Sequence, residues 1–142
     1  MILIKFCKKY QISFYIIDNI KIAKKLKANG VFISSNNRKI GLCLDINSKI
    51  ELLGSSHNQL EYFFKLRQNC KTLMLSPIFY NNKYSFNKIL SPVKFNLISL
   101  HWKTNICALG GISNNNIKKI KITKAKSVGI KSWINKKAHL PT

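Results

Sequence analysis

Short apolar runs alternate with polar segments of helical periodicity along this chain, and the alternation repeats six times. The apolar runs carry almost no charge, as is typical of strands buried on both faces of a parallel sheet. They occupy residues 12–17, 31–33, 50–54, 72–75, 106–109 and 127–130. This order predicts an α/β fold with a parallel sheet, most naturally a TIM-type β/α barrel that is only partial, with about six strands.

The segments between these runs predict helices at residues 20–28, 59–68, 93–101 and 117–120. In the first helix Ile22, Ala23 and Leu26 share one face, with lysines largely opposite. In the second helix the apolar side chains available to the core are Leu60, Phe63, Phe64 and Leu66. Residues 40–50 give no clear pattern, and we interpret them as an irregular connection or an extra hairpin.

Length and cysteine usage limit the class of protein. A chain of 142 residues, 46% of them hydrophobic, predicts one domain over residues 1–142. Its four cysteines are scattered without a C-x-x-C pair, which indicates neither a zinc site nor a disulfide framework and favours a reducing cytoplasm. No apolar run approaches the roughly 20 residues that a membrane span needs, so we expect no membrane insertion.

The charge is strongly positive, with 25 Lys and Arg against 4 Asp and Glu, a formal net charge of +21. Such a field attracts anions from diphosphate esters to nucleic acids. Only Arg38 and Arg67 are arginines, although specific nucleic-acid readers favour arginine, and no nucleic-acid-binding motif is evident. A solvated lysine-rich surface is therefore the favoured interpretation, and a nucleic-acid interface is the weaker alternative.

Two strand ends carry candidate chemistry. Gly110 and Gly111 follow an apolar run, where backbone N–H groups can approach an anionic oxygen closely, and Ser113 or one of the asparagines 114–116 can cap the next helix. The alternative is a tight turn without a ligand. Asp18 ends the first run, where its carboxylate can hold Mg²⁺ or, equally well, cap the helix that follows.

The order of the motifs resembles the thiamine-phosphate synthase and TenI family of phosphate-binding β/α barrels. In that family successive strands end in Asn-Asp-Arg, in Gly-Val-His-Leu-Gly-Gln-x-Asp, in Gly-x-Ser-x-His, in Gly-Pro-Ile/Val-Phe-x-Thr-x-Thr-Lys, in Gly-Gly-Ile and in a Val-Ser-Ala-Ile-like sequence. The matching fragments here are residues 17–19, 30–37, 54–58, 76–83, 108–112 and 128–134. Each fragment alone is weak, but six in the same order over residues 12–134 make coincidence unlikely.

The resemblance implies thiamine biosynthesis, in which a transferase joins hydroxymethylpyrimidine diphosphate to thiazole phosphate and forms thiamine phosphate and pyrophosphate. It implies Mg²⁺ as cofactor, held by Asp18 and by Asn37, which stands where the family has a second metal-binding aspartate. It further implies that Lys83 grips the diphosphate, unless Lys83 is an ordinary loop lysine. Ser56, or alternatively Ser55, matches the serine of the pyrimidine-diphosphate site.

The remaining site residues implied by the resemblance bind the thiazole phosphate. They are Gly110 and Gly111 through their backbone N–H groups, and Ser132 through its hydroxyl. The expected partners are therefore small-molecule phosphate substrates.

The chain also departs from the family pattern. Asn37 replaces the aspartate, Phe32 a histidine and Asn19 an arginine, so we expect weaker metal affinity. The match begins at the third strand of an eight-stranded barrel, as if the N-terminal part were lacking. Six strands leave an open sheet edge, which calls for a second copy, a partner or a missing N-terminal piece to cover it. The alternative function is a non-catalytic or regulatory relative that binds a phosphate ligand.

Overall fold

The computed structural model describes residues 2–40 and 50–130. In these residues one parallel sheet has its strands in sequence order, each paired with the next along the chain. The strands are β1 (Tyr15–Ile17), β2 (Gly30–Ile33), β3 (Glu51–Ser56), β4 (Thr72–Leu75), β5 (Asn105–Leu109) and β6 (Ser127–Gly129). Sequential parallel pairing is the arrangement of a β/α barrel. The predicted fold class is confirmed, and the sheet of the described residues is not closed.

Four α-helices accompany the sheet in the described part of the chain. They are α1 (Ile2–Lys9), α2 (Ile20–Lys25), α3 (Gln59–Arg67) and α4 (Ser91–Ser99), and two 3₁₀ helices lie at Phe86–Lys88 and Ile117–Ile122. The sequence pattern did not predict α1, and the expected helix at 117–120 is a 3₁₀ helix. The irregular connection predicted at 40–50 lies almost wholly outside the described residues. In the described part of the chain no helix has the length and apolar character to cross a membrane.

The main core lies between the sheet and the helices. Leu73 of β4 pairs with Gly54 on one side and with Ile106 on the other, and this row of side chains faces the helices. Phe95 of α4 is completely buried against the same core. Because side chains alternate along a strand, residues one position away lie on the opposite face of the sheet.

That opposite face carries a contact across three strands. A Cβ at Gly30 would lie 2.5 Å from the ring of Tyr15 and 2.3 Å from the carbonyl oxygen of Glu51. The absence of a side chain at Gly30 lets Tyr15 reach over β2 and donate a 2.6 Å hydrogen bond from its hydroxyl to Glu51. This hydrogen bond connects β1 to β3 across β2, and it requires a glycine at position 30.

The predicted buried face of α3 was wrong. Leu60, Phe63 and Leu66 are exposed by 59%, 53% and 37%, and the side chains that face the sheet are Tyr62 and Lys65. The orientation follows from Tyr62, whose ring stacks on Trp102 with centroids 4.5 Å apart. This stacking turns the apolar residues on either side of Tyr62 toward solvent.

Candidate active site

Polar residues follow the carboxyl ends of four neighbouring strands, and a glycine follows the fifth. They are Asp18 after β1, Ser34 after β2, His57 after β3, Ser76 after β4 and Gly110 after β5. Because all strands are parallel, these positions lie along one edge of the sheet, where β/α barrels place their binding sites. We call this the carboxyl edge. The fold therefore places Asp18 and Gly110, which the sequence singled out, along the same edge of the sheet.

Asp18 is held by the loop that follows β2. Its Oδ1 accepts hydrogen bonds from the N–H of Ser34 (3.0 Å) and from the Nδ2 of Asn37 (2.8 Å). Its backbone is left-handed, with φ of 51°, a conformation that Asp tolerates better than most residues. The helix cap predicted for Asp18 is instead Asn19, whose side chain accepts from the N–H of Ile22.

The carboxyl of Asp18 is stabilised in its ionised form. Burial raises the pKa of this carboxyl, but hydrogen bonds from Ser34 and Asn37 lower it more, and the charge of Lys65 adds to them. The net effect holds the pKa of Asp18 below its ordinary value. The carboxyl edge thus presents a fixed negative charge beside β2.

Both ends of the Asn37 amide make a hydrogen bond in this arrangement. Its Nδ2 donates to Asp18, and its Oδ1 accepts from the N–H of Lys39 at 3.0 Å. The bond from Lys39 fixes which end of the amide is oxygen, because a reversed amide would place two donors against each other. The end of the amide that faces Asp18 is therefore the nitrogen, and Asn37 would have to turn to place its oxygen there as a metal ligand.

Mg²⁺ often binds through one or two protein carboxylates together with substrate phosphates and water. The described residues contain no group of three or more His, Cys, Asp or Glu side chains that could hold a metal ion. At the carboxyl edge, Asp18 can supply one such carboxylate through Oδ2, since the hydrogen bonds described above are made by Oδ1. Asn37, the other predicted ligand, lies beside Asp18 as expected but presents a donor to it.

The two candidate serines lie on opposite faces of β3. Ser56 pairs with Leu75 in the row that faces the helices, is completely buried, and donates to the carbonyl oxygen of Asn58 at 3.0 Å. Ser55 pairs with Met74 and therefore points to the other face, inside the curve of the sheet. The geometry favours Ser55 over Ser56 as the serine that a ligand could reach.

His57 joins the ends of β3 and β4. Its ring Nδ1 lies 2.7 Å from the carbonyl oxygen of Ser76, and its backbone N–H donates to the Glu61 carboxylate at 2.7 Å. Glu61 also bonds to Asn58, the residue whose side chain caps α3. These contacts give His57 a structural position, and the sequence signal for it is the N-cap and N3 acid spacing of a capping box.

The Gly110–Gly111 turn packs against the loop after β4. Both glycines have positive φ, 93° and 70°, and a Cβ on Gly111 would lie 2.4 Å from the carbonyl oxygen of Phe79. Asn116 fastens the turn, since its Nδ2 donates to the carbonyl of Gly111 and its Oδ1 accepts from Ser113. The glycines are thus required by the backbone itself, whether or not they also bind a phosphate.

Lys83 lies exposed in the loop between β4 and α4. Its N–H donates to the side chain of Asn81, whose Nδ2 would be 3.6 Å from a Cβ on Gly110. The loop that carries Lys83 therefore borders the glycine turn. Ser132, predicted for the same phosphate site, lies outside the described residues.

The sequence did not reveal the role of Lys65. This side chain is completely buried, and burial lowers the pKa of its ammonium, while Cys70 and Asp18 oppose that shift. It donates to backbone carbonyls of the loop that holds Asp18. A possible signal was its three-residue spacing from Tyr62 and Gln68, which places all three toward one side of the helix.

These features define a parallel sheet of the β/α barrel type, with an acidic group and a glycine turn at the carboxyl edge. A family model described as thiamine monophosphate synthase matches residues 1–134. The chain belongs to this family.

Individual relatives agree with the family match. The thiamine-phosphate synthase of Flavobacterium psychrophilum is 28% identical over 137 residues, which cover 92% of this chain and 66% of the relative. The thiamine-phosphate synthase of Prochlorococcus marinus is 32% identical over 127 residues, which cover 87% of this chain and 36% of the relative. The chain therefore spans at most about two thirds of these two curated relatives.

A solved structure supports the fold. Thiamine phosphate pyrophosphorylase from Pyrococcus furiosus superimposes with a TM-score of 0.73, over 90% of this chain and 61% of that chain. The sequence identity is 17%, so this likeness concerns the architecture alone.

Proposed function

We propose that this chain acts in thiamine biosynthesis as a transferase of the thiamine-phosphate synthase type. The bond between the pyrimidine methylene carbon and the diphosphate oxygen breaks, and pyrophosphate leaves with the electron pair. The same carbon then bonds to the ring nitrogen of thiazole phosphate. The observation that carries the proposal is the gathering of the family-matched residues at the carboxyl edge, in a chain that the family model matches.

The proposed diphosphate end involves Asp18, Lys83 and Ser55. Asp18 would hold Mg²⁺, and a bound Mg²⁺ would offset the negative charge that develops on departing pyrophosphate. Asn37 would join it as a ligand only after its amide turns. Lys83 is exposed on a loop and can contact a phosphate as a mobile point charge. Ser55 takes precedence over Ser56, because only Ser55 faces the inside of the sheet.

The proposed thiazole phosphate end lies at the glycine turn. Gly110 and Gly111 would place backbone N–H groups against the phosphate, and Ser132 would add a hydroxyl. The neighbouring loop of residues 79–83 would close this end from the side of β4. Both substrates would then meet along the carboxyl edge.

A second candidate is a relative that binds a phosphate ester without catalysis. The engaged amide of Asn37 favours it, because the family aspartate at this position is replaced by a group that brings no charge. In this case the glycine turn would still bind thiazole phosphate.

We also propose that the chain works as a single domain in the cytoplasm. The outer edges of β1 and β6 have no neighbouring strand among the described residues. A second copy of the chain or another partner would cover them.

The test is formation of thiamine phosphate from both substrates with Mg²⁺, compared between wild type, Asp18→Asn and Glu51→Gln. Glu51 is the matched control, because it is a carboxylate at the opposite end of a strand. We expect product from wild type and Glu51→Gln and a loss of at least about 100-fold in Asp18→Asn. Product formation that is unchanged in Asp18→Asn would contradict the proposed role of Asp18. Absence of product with retained thiazole phosphate binding would favour the second candidate.

A further inference from the structure

Lys65 of α3 is a completely buried lysine whose ammonium donates hydrogen bonds to three neutral acceptors. Its Nζ donates to the carbonyl oxygens of Ser34 and Asn37, both at 2.7 Å, and to the Oε1 of Gln68 at 3.0 Å. Three donated bonds use all the N–H groups of an ammonium. Burying such a group is costly unless its hydrogen bonds are made, so the three acceptors fix where the side chain ends.

The fold makes room for this lysine beneath the sheet edge. A Cβ on Gly54 of β3 would lie 3.0 Å from Cδ of Lys65 and 2.7 Å from Cδ2 of Leu73. The aliphatic part of Lys65 therefore occupies space that a side chain at Gly54 would fill. From there the ammonium reaches the loop after β2.

Further contacts from α3 hold the same loop, residues 34–40. The Nε2 of Gln68 donates to the carbonyl oxygens of Asn37 (2.9 Å) and Lys39 (3.2 Å). The guanidinium of Arg38 lies 5.1 Å from the ring centroid of Phe64, within cation–π range. The three backbone carbonyls that Lys65 and Gln68 contact, those of Ser34, Asn37 and Lys39, thus all belong to this loop.

This loop in turn orients Asp18. The N–H of Ser34 and the amide of Asn37 are the two groups bonded to Oδ1 of Asp18. The carbonyl groups of the same two residues receive Lys65. The contacts therefore run from a buried helix face through one loop to the carboxylate at the carboxyl edge.

We propose that Lys65 and Gln68 are positioning residues that fix the 34–40 loop and, through Ser34 and Asn37, the orientation of the Asp18 carboxylate. Both residues act on Asp18 through backbone carbonyls of the loop, those of Ser34, Asn37 and Lys39. The structural part of this proposal is independent of the proposed function, while its effect on substrate rests on that function.

The primary test is amide hydrogen exchange, measured by NMR without any substrate. The variants are Lys65→Met and Gln68→Met, and Arg67→Met is the control because it removes an exposed cation from the same helix. In Lys65→Met and Gln68→Met we expect exchange at Ser34 and Lys39 to be about tenfold faster, from the loss of supporting hydrogen bonds. The amide of Ser113, bonded to Asn116 at the glycine turn, serves as the internal reference and should not change.

Unchanged exchange at Ser34 and Lys39 in a folded Lys65→Met or Gln68→Met variant would overturn the proposal. Equal acceleration at Ser113 would also overturn it, because it would show a general loss of stability. If Lys65→Met does not fold, Gln68→Met decides the question, since Gln68 bonds to the same loop.

A kinetic measurement tests the link to substrate. In both variants we expect KM for the pyrimidine diphosphate to rise about tenfold, because the loop that orients Asp18 loses hydrogen bonds, with KM for thiazole phosphate unchanged. Equal changes in both KM values would contradict positioning through Asp18. If the wild type makes no product, the proposed function fails, and the exchange result still decides the role of Lys65 and Gln68.

Discussion

At the scale of single residues, Asp18 shows how one side chain can meet two requirements. It ends β1 in a left-handed conformation, and its carboxylate receives donors from the loop after β2. The same bonds that hold it also keep it ionised. The sequence offered metal binding or helix capping for Asp18, and because Asn19 is the cap, Asp18 remains available at the carboxyl edge.

The glycine turn is constrained at the level of individual atoms. Gly111→Ala should destabilise the protein by about 1–3 kcal/mol or more, because it combines a positive φ with a contact to backbone oxygen at 2.4 Å. Gly129→Ala is the control, because its Cβ would meet mainly the flexible end of Leu109. Urea unfolding measures both, and an equal or smaller cost for Gly111→Ala would show that the turn is not so constrained.

Tyr15 gives a prediction for high pH. The hydrogen bond to Glu51, with burial and the Glu51 charge, raises the pKa of Tyr15 from 10.0 to about 12. Since the folded pKa is raised, the bond stabilises the protein fully below pH 10.0 and is lost as pH rises through about 12.

The measurement is the ultraviolet absorbance of phenolate during titration, taken as wild type minus Tyr15→Phe. We expect a midpoint of about 12 for Tyr15, which moves toward 10.0 in Glu51→Gln because the hydrogen bond to the Glu51 carboxylate is weakened and its charge is removed. A midpoint that is the same in Glu51→Gln would rule out Glu51 as the cause.

At the scale of secondary-structure elements, α3 connects the core to the carboxyl edge. Its first turn is capped by Asn58, which accepts from the N–H of Glu61. Its buried face carries Tyr62 toward Trp102 and Lys65 toward the loop after β2. Both contacts require Tyr62 and Lys65 to lie on the buried face of the helix.

Removal of this cap should weaken the helix. Asn58→Ala is expected to cost about 1 kcal/mol of unfolding free energy, because an N–H of the first turn loses its acceptor. Asn58→Ser keeps an oxygen that can accept from the N–H of Glu61 without adding a charge beside the Glu61 carboxylate, so it should lose less stability. Thermal or urea unfolding compares the variants, and equal stabilities of Asn58→Ala and Asn58→Ser would contradict the capping role.

Element order was predictable from the sequence, while the faces of the helices were not. All six strands could be located from apolar runs bounded by glycine and polar residues, because parallel strands that are buried on both faces consist mostly of apolar residues. In α3 the apolar residues are spread around the helix, so periodicity could not show that Tyr62 and Lys65 face the sheet. The contacts that decide it, to Trp102 and Ser34, come from distant parts of the chain.

The candidate site was predictable in part for similar reasons. Strand ends could be read from the sequence, and parallel pairing alone then gathers Asp18 and Gly110 at one edge. The choice between Ser55 and Ser56 needed the strand register, which sequence alone did not supply. The engagement of the Asn37 amide depends on Lys39 and Asp18 together, and no local pattern signals it.

At the scale of the whole molecule, the parallel sheet and the net charge of +21 have different roles in the proposed binding of phosphate esters. A strongly positive surface draws phosphate esters toward the protein from all sides. Specific binding then requires a place where backbone donors and fixed groups converge. The carboxyl edge is that place in our account, whereas dispersed lysines would bind anions without preference.

The most direct test of this central claim is an NMR titration of the chain with thiazole phosphate, with inorganic phosphate as control. We predict that the amide signals of Gly110, Gly111 and Ser113 shift with thiazole phosphate, while Glu51 and Asn105 at the opposite ends of their strands do not. Shifts that are spread over the lysine-rich surface and are equal for inorganic phosphate, or no shifts at the glycine turn, would contradict the assignment of the carboxyl edge as the substrate site.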